Sequence, residues 1–162
     1  MACSPPGALG APGADGRIVE IAERVSGAKE IDATGRLVVP GFIDIHTHYD
    51  AQLTWDSNAT PSPSLGVTTV VVGNCGFSIA PCPPECRDLI ARNLAEVEGM
   101  SLTALRSGTN WDFETFDEYL TLLKRKGVTP NVAAFIGHSA VRTMVMGPEA
   151  SERAVREDEV LE

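Results

Sequence analysis

The 162-residue sequence is 43% hydrophobic and 22% charged, the balance of an ordinary globular chain rather than a disordered or membrane-embedded one. Its formal charge of -9 comes without an extended Lys/Arg patch, so nucleic acid is not an expected partner. No stretch approaches the length of a membrane span, and Met1 to Pro6 has neither the basic nor the apolar region of a secretory signal. The expected setting is therefore cytoplasmic. Cys3, Cys75, Cys82 and Cys86 are then thiols, ligands or core groups, not a disulfide framework.

Residues 1–15, rich in Pro, Gly and Ala with no apolar period, are expected to be a loose lead-in. Gly16 to Ile21 reads as a short strand and Ala33 to Arg36 as a turn. Leu37 to Ile45 then carries the chain through Pro40-Gly41 into a near-continuous apolar run, the pattern of a buried parallel strand. A second strand is predicted over Val67 to Val72, where a β-branched run ends at Gly73-Asn74-Cys75-Gly76. Helical spacing follows over Glu85 to Val97 and over Phe113 to Lys126, the latter closing on three basic residues before Gly127. Asn131 to Ile136 is a third short strand, and Ser151 to Glu162 reads as a last, acidic helix. This order predicts an α/β fold of parallel βα units, in which chemistry sits at the carboxyl ends of the strands.

Three polar groups fall at those ends. His46 and His48 share strand parity, so their imidazoles project from one face within reach of a single ion. Cys75 follows the second strand and His138 the third. Two imidazoles and a thiolate favour zinc over magnesium or calcium, which prefer oxygen. Zinc with an open position acidifies water and polarises a carbonyl, making amide hydrolysis a natural reaction class.

Each residue also has a plainer reading. The two histidines can simply end a strand. Cys75 taken alone fits a buried small hydrophobe, although its place between Asn74 and Gly76 at a strand end favours a ligand. His138 can orient substrate, bind metal or bond a nearby carbonyl, and Asp44 can support a histidine or play a structural part in the sheet. Cys82 and Cys86 have no second ligand pair at zinc-finger spacing and are read as loop and core residues. The glycine-rich loop lacks the spacing and lysine of a phosphate-binding loop, and there is no G-x-S-x-G nucleophile elbow.

The segments Ile31 to Gly35, Pro40 to His48, Tyr49 to Asp56, Gly66 to Val70, Gly73 to Ser78, and Asn131 to Ala134 through Gly137-His138-Ser139 to Gly147 together resemble the amidohydrolase superfamily, and more narrowly its N-acyl-D-amino-acid deacylase (D-aminoacylase) family. The resemblance implies a (β/α)8 TIM-type barrel beside a small β-sandwich. Residues 16–40 would be a remnant of the sandwich and 41–162 the amino-terminal part of the barrel, about three βα units. It implies Zn2+ held by His46, His48 and Cys75, and water attack on the acyl carbonyl of an N-acyl-D-amino acid. Glu98 lies in another resembling segment with no role assigned. Members of this family are much longer, so the general base is expected beyond residue 162 and the chain is expected to be an incomplete, inactive piece. Two alternatives remain: a cyclic-amide hydrolase resembling hydantoinase or dihydroorotase, and a non-catalytic metal-binding or interaction module pairing through its sheet edges.

Overall fold

The computed structural model describes residues 17–20 and 31–160. It divides into two compact units, Met1–Pro40 and Gly41–Glu162. The expected lead-in and Cys3 lie outside the described residues. Of the strand read over Gly16 to Ile21, Arg17 to Glu20 are described and show a single bridge at Ile18. The turn at Ala33 to Arg36 is present, closed by the Arg36 amide on the Ala33 carbonyl at 2.9 Å.

In the second unit, parallel strands β1 (Phe42–Thr47), β2 (Val67–Val72) and β3 (Asn131–Ala134) form one sheet in the order β1-β2-β3. Asp44 pairs with Val70, and Thr47 with Val72, while Val70 and Val72 in turn pair with Val132 and Ala134. The β-branched run of β2 explains its central position, because Val70 and Val72 are buried and both of its edges are hydrogen-bonded. Parallel neighbours require long crossovers, and the intervening chain supplies them as helices.

These helices are α1 (Tyr49–Gln52), α2 (Arg87–Glu98), α3 (Leu102–Gly108) and α4 (Phe116–Lys126), and α5 (His138–Met146) follows β3. Ile90, Ala91 and Leu94 bring α2 into the core, and Tyr119, Leu122 and Leu123 do the same for α4. A reciprocal cap starts α4: Thr115 Oγ1 accepts the Glu118 amide, and Glu118 accepts the Thr115 amide. Lys124, Arg125 and Lys126 face the negative end of its dipole. Cys82 and Cys86 are buried in the same core, in agreement with their reading as packing residues.

Three expectations are corrected. Of the Leu37 to Ile45 run read as a buried strand, the part before Phe42 is not strand, since the sheet begins only at Phe42, and Leu37, Val38 and Val39 are exposed. Phe42, Ile43 and Ile45 on β1 are also 63–67% exposed, because no strand among the described residues pairs with the outer edge of β1 and no helix covers these side chains. The acidic helix read over Ser151 to Glu162 is instead a set of short 3-10 turns at Gly147–Ser151 and Asp158–Val160, the last two residues lying outside the description. Arg153 explains this geometry: it bonds Glu149 and Glu159 and donates to the Ala154 carbonyl, folding the segment back on itself.

Candidate metal centre

The parallel sheet points the carboxyl ends of all three strands the same way, and the chemistry-bearing residues gather there. His46 is the penultimate residue of β1 and His48 the first beyond it; between them Thr47 turns inward and donates to the Val71 carbonyl at 2.8 Å. That inward residue holds the two histidines on the outer side, with ring centroids 5.2 Å apart.

The loop after β2 brings the third donor. Asn74 Nδ2 donates to the Ile45 carbonyl at 3.0 Å, tying the loop to β1 beside the histidines. Gly73 makes the turn possible, with φ +76° and no room for a side chain: an added Cβ would lie 2.3 Å from the Phe135 carbonyl oxygen. Cys75 thereby places its Sγ 3.8 Å from His48 Nδ1, and the Phe77 amide points at the same sulfur from 3.5 Å.

One donor atom each from His46, His48 and Cys75 falls within a 4.8 Å cluster. In a tetrahedral zinc site built on the usual zinc–nitrogen and zinc–sulfur lengths, donors stand roughly 3.3–3.7 Å apart. Contraction by about 1 Å, within reach of side-chain rotation on exposed or half-buried groups, converts this cluster into that geometry. The nitrogen and sulfur donor set fits zinc.

Glu98, to which the sequence assigned no role, is brought to the same place. Its Oε1 stands 2.9 Å from His48 Nδ1, with the two side chains only 12% and 25% exposed. It occupies the last position of α2, next to Gly99 in the left-handed conformation. An acidic residue there opposes the helix dipole, and that unfavourable placement was the available signal that the side chain serves something other than the helix. A cleft of about 350 Å3 opens on this group, lined by Asp44, His46, His48, Tyr49, Glu98 and Met100 among others.

Under the cleft lies Asp50, which is fully buried and has no hydrogen-bond partner for Oδ2. Burial pushes its carboxyl up to about 6, against the backbone amides of Ile79, Asp50 and Ala51, while the charge of Glu98 raises it further. Tyr119 fixes this stretch from beneath, its hydroxyl donating to the Asp50 carbonyl at 2.9 Å. Asp56 orders the segment that follows: it accepts the amides of Asn58 and Thr60 and the side chain of Gln52, which hold its carboxyl below the usual range.

His138 is not part of the cluster. It is exposed at the start of α5, beside Gly76, and the loop hydrogen bonds there run through Gly137 to Ser78 Oγ and Ser139 to the Gly76 carbonyl. Asp44 receives the His46 backbone amide at 3.3 Å, so its contact is with the strand and not with an imidazole.

A match to the amidohydrolase family covers residues 29–160. The chain belongs to the amidohydrolase family. It is 40% identical over 134 residues to a D-aminoacylase of Alcaligenes xylosoxydans xylosoxydans, covering 80% of this chain and 24% of that one. Among solved structures, it is similar to a D-aminoacylase studied for its binuclear metal centre, with a TM-score of 0.59, 37% identity, and coverage of 75% of this chain and 23% of that one. It is also similar to the N-acyl-D-glutamate deacylase of Bordetella bronchiseptica in complex with zinc and a phosphonate mimic of the tetrahedral intermediate, with a TM-score of 0.58, 33% identity, and coverage of 90% and 28%. The chain spans 21–28% of the length of the relatives it matches. Among the described residues of this amidohydrolase, no helix is long and apolar enough to cross a membrane.

Proposed function

We propose that this amidohydrolase chain carries the first part of the metal site of a zinc-dependent enzyme that hydrolyses the amide bond of N-acyl-D-amino acids. The observation that carries the reading is the convergence of His46, His48 and Cys75 at the carboxyl ends of β1 and β2. Similarity to deacylases named for N-acyl-D-amino acid substrates supplies the substrate class. The three-stranded parallel sheet then corresponds to the first three βα units of a (β/α)8 barrel, with residues 41–162 in the barrel and 16–40 in a sandwich remnant.

His46 and His48 would hold zinc from one strand and Cys75 from the next. Bound there, zinc supplies polarisation of the acyl carbonyl and acidification of water. The chain's own contribution is positional: Thr47 and Asn74 fix the donor backbones, and the cleft over Tyr49 and Met100 gives the substrate a place beside them. The catalytic general base would come from outside these three units, and His138 would face substrate at the rim.

The test is a pair of measurements on the 162-residue chain and on a version extended to the length of its relatives: zinc content, and release of free D-amino acid from N-acyl-D-amino acids. The reading expects metal in both and turnover in the extended version only. Zinc uptake without turnover in the extended version would reject the deacylase assignment, and hydrolysis of a cyclic amide in its place would favour a hydantoinase-like activity.

A further inference from the structure

The cleft beside the metal-ligand group has a chemical bias that follows from what each lining group has left to offer. At about 350 Å3 it lies at the small end of the range for ligand pockets. Two carboxylates, Asp44 and Glu98, line it, and among the described residues no Lys or Arg does. Its neutral donors are already committed. The Thr47 hydroxyl donates to the Val71 carbonyl at 2.8 Å, and the Gln52 amide nitrogen spends both hydrogens, on Asp56 and on the Thr60 carbonyl, each at 3.0 Å. The Tyr49 hydroxyl is hydrogen-bonded to Ser62 Oγ at 2.7 Å, which leaves its ring for the cleft. Tyr49 and Met100 are both packed against the hydrophobic core and together make an apolar wall.

Such a cleft repels a carboxylate. It offers two like charges, no cation and no uncommitted hydroxyl or amide donor, and zinc does not reverse this, since the Cys75 thiolate and the two carboxylates together outweigh its charge. An N-acyl-D-amino acid carries its carboxylate on the carbon next to the amide nitrogen. In a trans amide that carbon and the acyl chain lie on opposite sides of the C–N bond. The amino-acid side chain in the cleft would bring the carboxylate to its mouth, whereas the acyl chain in the cleft sends the carboxylate away.

We propose that the cleft is the acyl subsite: the acyl chain lies along Tyr49 and Met100, the α-carboxylate points away from β1, and Met100 limits the length of chain accepted. This rests on the deacylase reading above and adds to it the orientation of the substrate and a residue that sets acyl preference. The carboxylate is left for a cationic group outside this cleft.

Binding is read first in the 162-residue chain, metal-free so that zinc captures no ligand, with carbon-13 in the Met methyl groups; the Met100 signal is the one lost in Met100→Leu. N-methylhexanamide, a neutral acyl amide, is expected to shift that signal saturably, and hexanoate to bind roughly tenfold more weakly. In the version extended to the length of the relatives, Met100→Trp fills the space of the chain. It is expected to lower kcat/KM for an N-hexanoyl-D-amino acid about tenfold or more relative to its N-acetyl counterpart, and to leave the ranking of D-amino acids within the N-acetyl series unchanged. Hexanoate binding as tightly as the amide, a Met100 signal that neither ligand moves, or a changed D-amino-acid ranking in place of a changed acyl preference would each overturn the assignment. Failure of the deacylase reading looks different: an extended native chain that turns over no N-acyl-D-amino acid, while the amide still shifts Met100, would take away the substrate and the acyl subsite with it, leaving an apolar cleft that excludes anions. The binding comparison uses the native sequence, so poor folding of a variant does not remove the test.

Discussion

Substituting Asp50 by Asn in metal-free protein should change the pH dependence of stability in a defined direction. The buried carboxyl is raised from 3.8 to about 6, chiefly by loss of water, and its Oδ2 has no partner. With the folded value above the unfolded one, the native state holds the proton more tightly between them. Stability from this group is therefore fully present below about pH 4 and is lost as pH rises through about 6. The gap between 3.8 and about 6, at about 1.4 kcal/mol per pH unit, is about 3 kcal/mol. Asn cannot ionise, so the variant lacks this loss; its amide instead leaves a buried donor unpaired, a pH-independent cost of about 1–3 kcal/mol. Other carboxylates, such as Asp56 and Asp88, are lowered by their partners and act in the opposite sense at lower pH, but they are common to both proteins. The quantity to measure is therefore the difference in unfolding free energy, native minus Asp50→Asn, from urea titrations with chelator at several pH values between 4 and 8. It should fall by about 2.4 kcal/mol across this window, steeply from its acid end, and be flat above about pH 7, the remaining ~0.6 kcal/mol of the full difference being lost below pH 4. A difference that is constant, or that rises with pH, would refute the argument.

Further outcomes follow from the loop after β2. Gly73→Ala must place a Cβ 2.3 Å from a backbone carbonyl at φ +76°, so it should destabilise the chain by at least the 1–3 kcal/mol typical of a strained residue, about as a lower bound, and weaken metal uptake with it; thermal unfolding and zinc content report both. Of Cys75, Cys82 and Cys86, only Cys75 should be alkylated in the native protein, because the other two are buried and burial pushes the Cys82 thiol up to about 12. Zinc should protect Cys75 from that reaction. Peptide mapping after labelling with and without zinc would detect either departure.

The sheet and the metal cluster were legible in sequence to different depths, for physical reasons. Strand β2 was read at its true bounds because a six-residue β-branched run between glycines admits little else. His46 and His48 were placed together by strand alternation, a local rule that works even where His48 has left the strand. Burial of the Leu37 to Ile45 run was misjudged because an apolar run gives the residues' preference and not the presence of a covering layer; β1 lies at an edge. The acidic last segment followed ion pairs of Arg153 over helical spacing. Helix α5 escaped because its start at Gly137-His138 was read as a strand end. Glu98 was invisible as a partner for a different reason: its contact with His48 spans the β2 crossover, and only packing of α2 brings the two together.

The central claim is that His46, His48 and Cys75 hold one metal ion, and cobalt(II) titration of the 162-residue chain tests it most directly. The account predicts saturation at one equivalent, visible bands of tetrahedral cobalt, and a near-ultraviolet thiolate-to-cobalt band that disappears in Cys75→Ser. A spectrum indistinguishable from aqueous cobalt, or a thiolate band that survives Cys75→Ser, would contradict it.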